Sequence, residues 1–296
     1  MLLRLSARLP SLAALAAVAG ALACEPGLPA AALAERAQAR ALAAELRFGL
    51  LASAEAEKRA VMAETDDASA RAAEEAEAAT RTLVERTSTL GALLASLDYE
   101  PETELLHAFE QQFAESQRVD VELLELARGN TNEKAWRLAL GPGREAADDF
   151  AARLASAAAT APPGSAARAE SLAASAVLAV REVQLLEAPH IREAEDAAMT
   201  ALEARMAAAE AGARASVAAL AELVGAPAPA ALDSASEALD RFFRTNAEVV
   251  ALSRRNTDVR SLALSLGEKR RLTAACDEAL AALQEALAKR GTEATR

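Results

Sequence analysis

Leu126-Ala-Arg-Gly-Asn130-Thr131-Asn132-Glu-Lys134-Ala-Trp-Arg-Leu138-Ala-Leu140-Gly141 returns 126 residues later as Leu252-Ser-Arg-Arg-Asn256-Thr257-Asp258-Val-Arg260-Ser-Leu-Ala-Leu264-Ser-Leu266-Gly267. The Arg, the Asn-Thr pair, the basic residue at Lys134 and Arg260, the leucines and the closing Gly coincide without a gap. A chain that repeats itself at a fixed distance is read as copies of one supersecondary unit, here two helical hairpins.

Composition says what the unit is made of. Of 296 residues 84 are alanine, while six Phe, one Tyr and one Trp are the only aromatics. Alanine enters a helix at no side-chain entropy cost, and the abundant Glu and Arg at little. β-branched and aromatic runs are scarce. The fold class expected is all-α: an elongated antiparallel up-down four-helix bundle built from two duplicated helical hairpins.

Pro and Gly clusters divide the periodic chain into four. The turns fall at Asp98-Tyr-Glu-Pro101, Thr160-Ala-Pro-Pro-Gly164 and Gly225-Ala-Pro-Ala-Pro229. Each segment holds about 55 to 70 residues, or about 80 to 105 Å of helix. The first hairpin then covers 30–159 and the second 160–290, as one bundle, with 291–296 a disordered tail. Gly141-Pro142-Gly143, Pro189 and Gly267 weaken three of the helices. Folding the chain at its turns brings them to one level. A shared ancestral kink explains that, and so does a cavity or bending point.

The N-terminus reads as an export signal. Arg4 and Arg8 precede the short apolar stretch Leu9–Leu22, and Ala21-Leu22-Ala23 offers small residues for cleavage. Residues 1–23 are thus a signal peptide, and 24–29 a tether. Cys24 stands where bacterial lipoproteins carry their lipidated first residue, although Ala21 and Leu22 depart from that box. Lipidation of Cys24 and plain cleavage both remain open. The expected location is exported, periplasmic or at the cell envelope, held to the membrane through a lipid anchor only. Cys276 lies on an apolar stripe with Leu272 and Leu280, as a small buried hydrophobe would.

A net charge of −12 with no compensating basic stripe argues against nucleic-acid binding. No phosphate loop, nucleophile elbow or zinc-spaced cluster occurs, so the chain is read as non-enzymatic and without cofactors. Glu104-x-x-His107 and Glu187-x-x-His190 match the di-iron bundle motif, but folding the chain separates them by close to 50 Å along the axis. No metal site follows.

Asn256 lies on the stripe Val249, Leu252, Asn256, Val259, and Asn130 follows Leu123 and Leu126 in the same way. Both face inward. One reading is that they fix helix register, as a polar core position does in coiled coils. The other is a ligand pocket. Asn130, Thr131, Asn256 and Thr257 would bind polar groups, Lys134 or Arg260 a carboxylate, and His190 would stand nearby. The partner is then a small polar or anionic ligand, or instead an envelope protein. Glu64-Thr65-Asp66-Asp67 reads as a solvated helix face.

Ala60-Val-Met-Ala-Glu-Thr-Asp-Asp-Ala-Ser69, followed by Asn130-Thr-Asn-Glu-Lys-Ala135, resembles the extracytoplasmic four-helix-bundle sensory modules of bacterial methyl-accepting chemotaxis receptors and sensor kinases. The resemblance covers about residues 30 to 288. It implies ligand sensing outside the cytoplasm at helix interfaces. Such receptors continue into a second transmembrane helix and a cytoplasmic signalling coiled coil, neither of which follows before Arg296. The alternative is a structural or adaptor scaffold of the envelope.

Overall fold

A computed structural model describes residues 30–224 and 229–293. Among them every regular element is helical and no strand occurs. The export signal, Cys24, the tether, the third turn and the last three residues lie outside the described residues. No helix within them is long and apolar enough to cross a membrane.

The helices are α1 (Ala30–Val61), α2 (Asp66–Ser96), α3 (Glu100–Gly129), α4 (Thr131–Leu138), α5 (Arg144–Ala158), α6 (Ala166–Arg192), α7 (Asp196–Val224), α8 (Pro229–Arg255), α9 (Thr257–Leu264) and α10 (Arg270–Glu293). Single π-helical turns, Ala139–Gly143 and Ser265–Lys269, join α4 to α5 and α9 to α10. The final helix therefore runs to Glu293, through the first three residues of the stretch 291–296 expected to be a disordered tail.

The chain divides into two compact units, each assembled from separated stretches of sequence. One contains the described residues up to Leu51, Thr80–Ala114 and the stretch from Ala274. Its core is Ala39, Leu46 and Leu50 of α1, Leu83, Leu90 and Leu94 of α2, Phe109 and Phe113 of α3, and Cys276, Leu280 and Leu283 of α10. Cys276 is fully buried, as its stripe implied. The two Phe rings stack with centroids 5.2 Å apart. Arg47 closes one edge by gripping Asp277 at 2.6 and 3.0 Å.

The turn from α2 to α3 falls where the sequence placed it. Asp98 adopts φ 55°, and the Tyr99 N–H donates to Leu94 O at 3.0 Å, which caps the end of α2. A left-handed Asp bears a steric cost that Gly avoids. Asp98→Gly is therefore expected to raise the unfolding free energy by up to about 1 kcal/mol. A urea titration with no upward shift in midpoint would show that the Asp is not strained.

The other unit holds Ala52–Ala79 and Glu115–Thr273. Phe150 and Leu154 of α5, Val180 and Val183 of α6, Met206 and Leu220 of α7, and Leu239 and Phe242 of α8 form its largest core. Ala56, Ala60, Ala73, Ala76, Leu123 and Ala127 form a second, and Ala135, Ala139, Ile191 and Val249 a third. The apolar stripes thus assemble as helical periodicity requires.

The helices stop more often than the sequence reading expected. The first segment breaks at 62–65, the second at Asn130, the third at 193–195 and the fourth at Asn256. Asn130 and Asn256 both take the left-handed conformation, with φ 47° and 53°. Asn tolerates that region better than other side-chain-bearing residues. Pro189, by contrast, sits inside α6, which runs on to Arg192.

Gly141 and Gly267 fall in the two π turns, at equivalent places in the repeat. Only the first has a proline, Pro142, so the π turn belongs to the shared sequence rather than to the proline. Each exposes its leucine: Leu140 by 59% and Leu266 by 62%.

A sealed polar layer and a buried ion cluster

The repeated Asn-Thr motifs meet each other. The Thr131 N–H donates to Thr257 Oγ1 at 3.0 Å, and the Thr257 N–H donates to Thr131 Oγ1 at 3.2 Å. The hydroxyls themselves lie 3.2 Å apart. Each threonine begins a helix, α4 or α9, whose first amides have no partner within it. Here each hydroxyl caps the other helix. Gly129 permits the approach, because a Cβ there would stand 2.9 Å from Thr257 Cγ2 and Oγ1.

The neighbouring amides finish the seal. Asn132 Nδ2 donates to Ile191 O at 2.6 Å and to Asn256 Oδ1 at 2.9 Å. Asn256 Nδ2 donates to Glu193 O at 2.9 Å. These carbonyls are left over where α6 ends, so the motif satisfies the helix stop as well as its own copy. The Glu133 N–H donates to Asp258 Oδ2 at 3.0 Å, and the Asp258 N–H to Asn132 Oδ1 at 3.2 Å. Burial pushes the Asp258 carboxyl above its ordinary range.

Asn130 turns the other way, donating to Asp66 Oδ1 at 3.1 Å. Lys134 donates to Gly129 O at 2.9 Å and pairs with Asp66 at 3.1 Å. Arg137 reaches the same carboxylate. Although burial opposes it, Lys134 and Asn130 hold Asp66 below the usual range. The Glu64–Asp67 run is therefore a helix start that receives the motif, with Thr65 Oγ1 accepting the Ala68 N–H at 3.2 Å.

Asn130, Thr131, Lys134, Asn256 and Thr257 are thus brought into one layer, where they bind protein groups. Asn130 and Asn256 do not bond each other; Asn132 stands between. Arg260 is outside this set, 59% exposed and 3.9 Å from Glu122.

The Thr131–Thr257 pair should show coupling in a double-mutant cycle. Thr131→Val and Thr257→Val are each expected to cost about 1–2 kcal/mol, and the double variant clearly less than their sum. Strict additivity would mean that the two caps act alone.

His190 is fully buried beside this layer. Its Nδ1 lies 2.6 Å from Ser253 Oγ and its Nε2 2.8 Å from Glu203 Oε1. Arg254 grips both Glu203 oxygens at 2.6 and 2.9 Å, and Arg254 foremost, then His190, holds this carboxyl below its ordinary range. A serine, a histidine and an acid stand in line, yet Ser253 and His190 have no exposed surface and Ser253 Oγ also meets Val250 O at 3.2 Å. The line packs α6, α7 and α8 together. His107 is exposed and bonds Glu110, a turn along its own helix. Among the described residues no group of three or more His, Cys, Asp or Glu side chains is disposed to hold a metal.

The sequence reading missed a second polar centre. Lys269 ends the second π turn with only 5% of its surface exposed. Its ammonium donates to Ser116 Oγ at 2.7 Å, pairs with Glu57 Oε1 at 3.1 Å and meets Asp120 Oδ1. The ammonium thus faces one hydroxyl and two carboxylates. Ser53 Oγ donates to Glu57 at 3.2 Å. Burial pushes the Glu57 carboxyl up to about 7, against the pull of Lys269, and also raises Asp120. The signal was present: Ser53 and Glu57 continue the stripe of Leu46 and Leu50, and Ser116 and Asp120 that of Phe109 and Phe113.

No protein-family model, curated protein or solved structure matches this chain.

Proposed function

We propose that the protein is an exported, lipid-anchored, non-enzymatic helical scaffold or adaptor of the bacterial cell envelope, its helices following an antiparallel up-down four-helix course in two duplicated hairpins. The observation that carries this reading is the closure of the Asn-Thr layer. The side chains with which a sensory module of chemoreceptor type would bind a small polar or anionic ligand bind one another, the start of α2 and the end of α6 instead. A hydrogen-bonded helix break of this kind fixes which residues face each other along the bundle, the registry role known for polar core positions. The anchor rests on Cys24 and the residues before it.

Two measurements test the two halves of the proposal. Labelling of the full-length chain with a fatty acid should mark the wild type and not Cys24→Ala, which should be released from membranes. Equal membrane retention of both would remove the anchor. A thermal-shift screen against amino acids, organic acids and polyamines should leave the melting temperature unchanged. A saturating ligand at 100 times its dissociation constant adds about 2.7 kcal/mol. A shift of that size, lost in Asn256→Gly, would replace the scaffold by a sensory module with a pocket in this layer.

A further inference from the structure

The repeat extends well beyond the Asn-Thr motif, and it carries the ion cluster into a second, altered copy. The 126-residue offset takes Asp120 to Asn246 and Lys269 to Gly143. An offset of 130 takes the buried positions Ala39, Ala43, Leu46, Leu50 and Glu57 of α1 to Ala169, Ala173, Ala176, Val180 and Glu187 of α6, all buried too. Lys269 and Gly143 each end a π turn. The trio Glu57, Asp120 and Lys269 therefore has a counterpart, Glu187, Asn246 and Gly143, within the same compact unit.

The counterpart keeps the acid and loses everything that neutralises it. The ammonium is gone, Asp has become an amide, and the hydroxyls Ser53 and Ser116 are replaced by Val183 and Phe242. Glu187 is 4% exposed and Asn246 9%. Glu187 follows Val183 by one turn and Asn246 follows Phe242 by one turn, and Val183 and Phe242 share one core. One oxygen of each, Glu187 Oε1 and Asn246 Oδ1, is buried without a hydrogen-bond partner. The repeat places these two acceptors in one layer, where they cannot satisfy each other. A carboxylic acid and an amide can.

Larger apolar side chains, Val183 and Phe242, stand at the two serine positions, and a Cβ on Gly143 would stand 3.1 Å from Leu138 O. Several charged groups on the packed helices are engaged elsewhere, while Arg244 and Glu248 of α8 and Glu145 of α5 line a surface cleft beside Pro142 and Thr245. His190 and Arg254 bind Glu203 of α7, Arg181 binds Asp148 of α5, Arg241 of α8 binds Asp149, and Lys134 and Arg137 of α4 bind Asp66.

We propose that Glu187 carries a proton at neutral pH and donates its O–H to Asn246 Oδ1, so that this layer is a neutral acid–amide pair where the other copy holds an ion cluster, and that loss of the proton loosens the packing of α6 on α8. Burial alone pushes this carboxyl up to about 7, which places the change in the physiological range. A carboxyl raised in the folded state stabilises the fold below its unfolded pKa relative to above it. Stability then declines as pH rises from the ordinary glutamate value of about 4.5 towards about 7, and levels off beyond. Alkaline conditions act as the release.

Infrared spectra of the full-length chain test the assignment directly. The carbonyl band of a protonated carboxyl should be present at about pH 6, fade by about pH 8, and be diminished at pH 6 in Glu187→Gln. Across the same window the folding equilibrium constant of the wild type should fall more than that of Glu187→Gln, by a factor on the order of 10. An unchanged band and an unchanged pH dependence in the variant would overturn the proposal. If Glu187→Gln does not fold, Asn246→Leu serves: losing the acceptor should shift the band upward, and an unshifted band overturns the pairing. Stabilisation of the wild type by potassium or methylammonium at pH 8, absent in Glu187→Gln and without any band at pH 6, would assign the place of Lys269 to a bound cation and overturn the proton.

Discussion

Lys269→Met is expected to lower the unfolding free energy by about 3–5 kcal/mol near pH 7. The lysine itself contributes little net stability, because removing an ammonium from water offsets most of its attraction to two acids. What the substitution does is strand Glu57 and Asp120, 2% and 7% exposed, beside each other with no cation. The cost must then depend on pH. Without Lys269 the pull that opposes desolvation at Glu57 and Asp120 disappears, so both carboxyls rise further and protonate more readily. Urea unfolding should therefore show a deficit that is large at about pH 8 and much smaller at about pH 5. Adding Glu57→Gln and Asp120→Asn to Lys269→Met should recover most of the loss, since neutral amides can be buried with hydrogen bonds to Ser53 and Ser116. A deficit equal at both pH values would mean that lost packing of the lysine stem, rather than stranded charge, is responsible.

The second large effect is at Asn256. Asn256→Leu should destabilise by about 3 kcal/mol, summed from a left-handed backbone that Leu resists and from the loss of two buried hydrogen bonds. The amide is what Asn132 Nδ2 donates to and what satisfies Glu193 O at the end of α6. Two companion variants separate the contributions. Asn256→Gly keeps the φ of 53° at no steric cost and loses only the amide, whereas Asn256→Ala loses both. Gly is expected to retain about 1 kcal/mol more than Ala. A buried register asparagine in an unbroken helix would behave in the opposite sense, with Leu stabilising by added apolar burial and Gly the worst of the three. The order of the three variants therefore distinguishes a sealed helix break from a polar residue in a coiled-coil seam.

Both predictions concern residues whose importance is unequally visible in the chain. The asparagines announce themselves, because a polar residue twice placed on an apolar stripe, inside a duplicated stretch, has to be explained. Lys269 does not, being one of 32 basic residues and lying two positions past a glycine. Its meaning appears only when the π turn shifts the helical phase and turns it inward. A reading at 3.6 residues per turn carries no such shift. The same phase change explains why Leu140 and Leu266, leucines in an alanine-rich helix, face outward.

The repeat also separates what is conserved between its halves from what differs. The reciprocal threonine caps need both copies, and both kept them. Glu57 and Glu187 occupy one position with opposite solutions to the same electrostatic problem, one by a lysine, the other by an amide that can accept a proton's hydrogen bond. That comparison needs no other protein. It arises because duplication places two copies of the same layer in one molecule.

The sequence by itself determined that the chain is helical, that it is a duplication, where Asp98 and Thr160–Gly164 turn it, and which apolar stripes form cores. These follow from local chemistry: alanine propensity, turn residues and a 3.6-residue period act within a few positions. Only the tertiary structure decided that the four periodic segments break, that the repeated Asn-Thr motifs satisfy each other across 126 residues, and that Lys269 is buried between two acids. Those outcomes depend on which orphaned amides, carbonyls and charges are brought within 3 Å of one another, about, and that is a property of the folded arrangement rather than of any stretch of the chain.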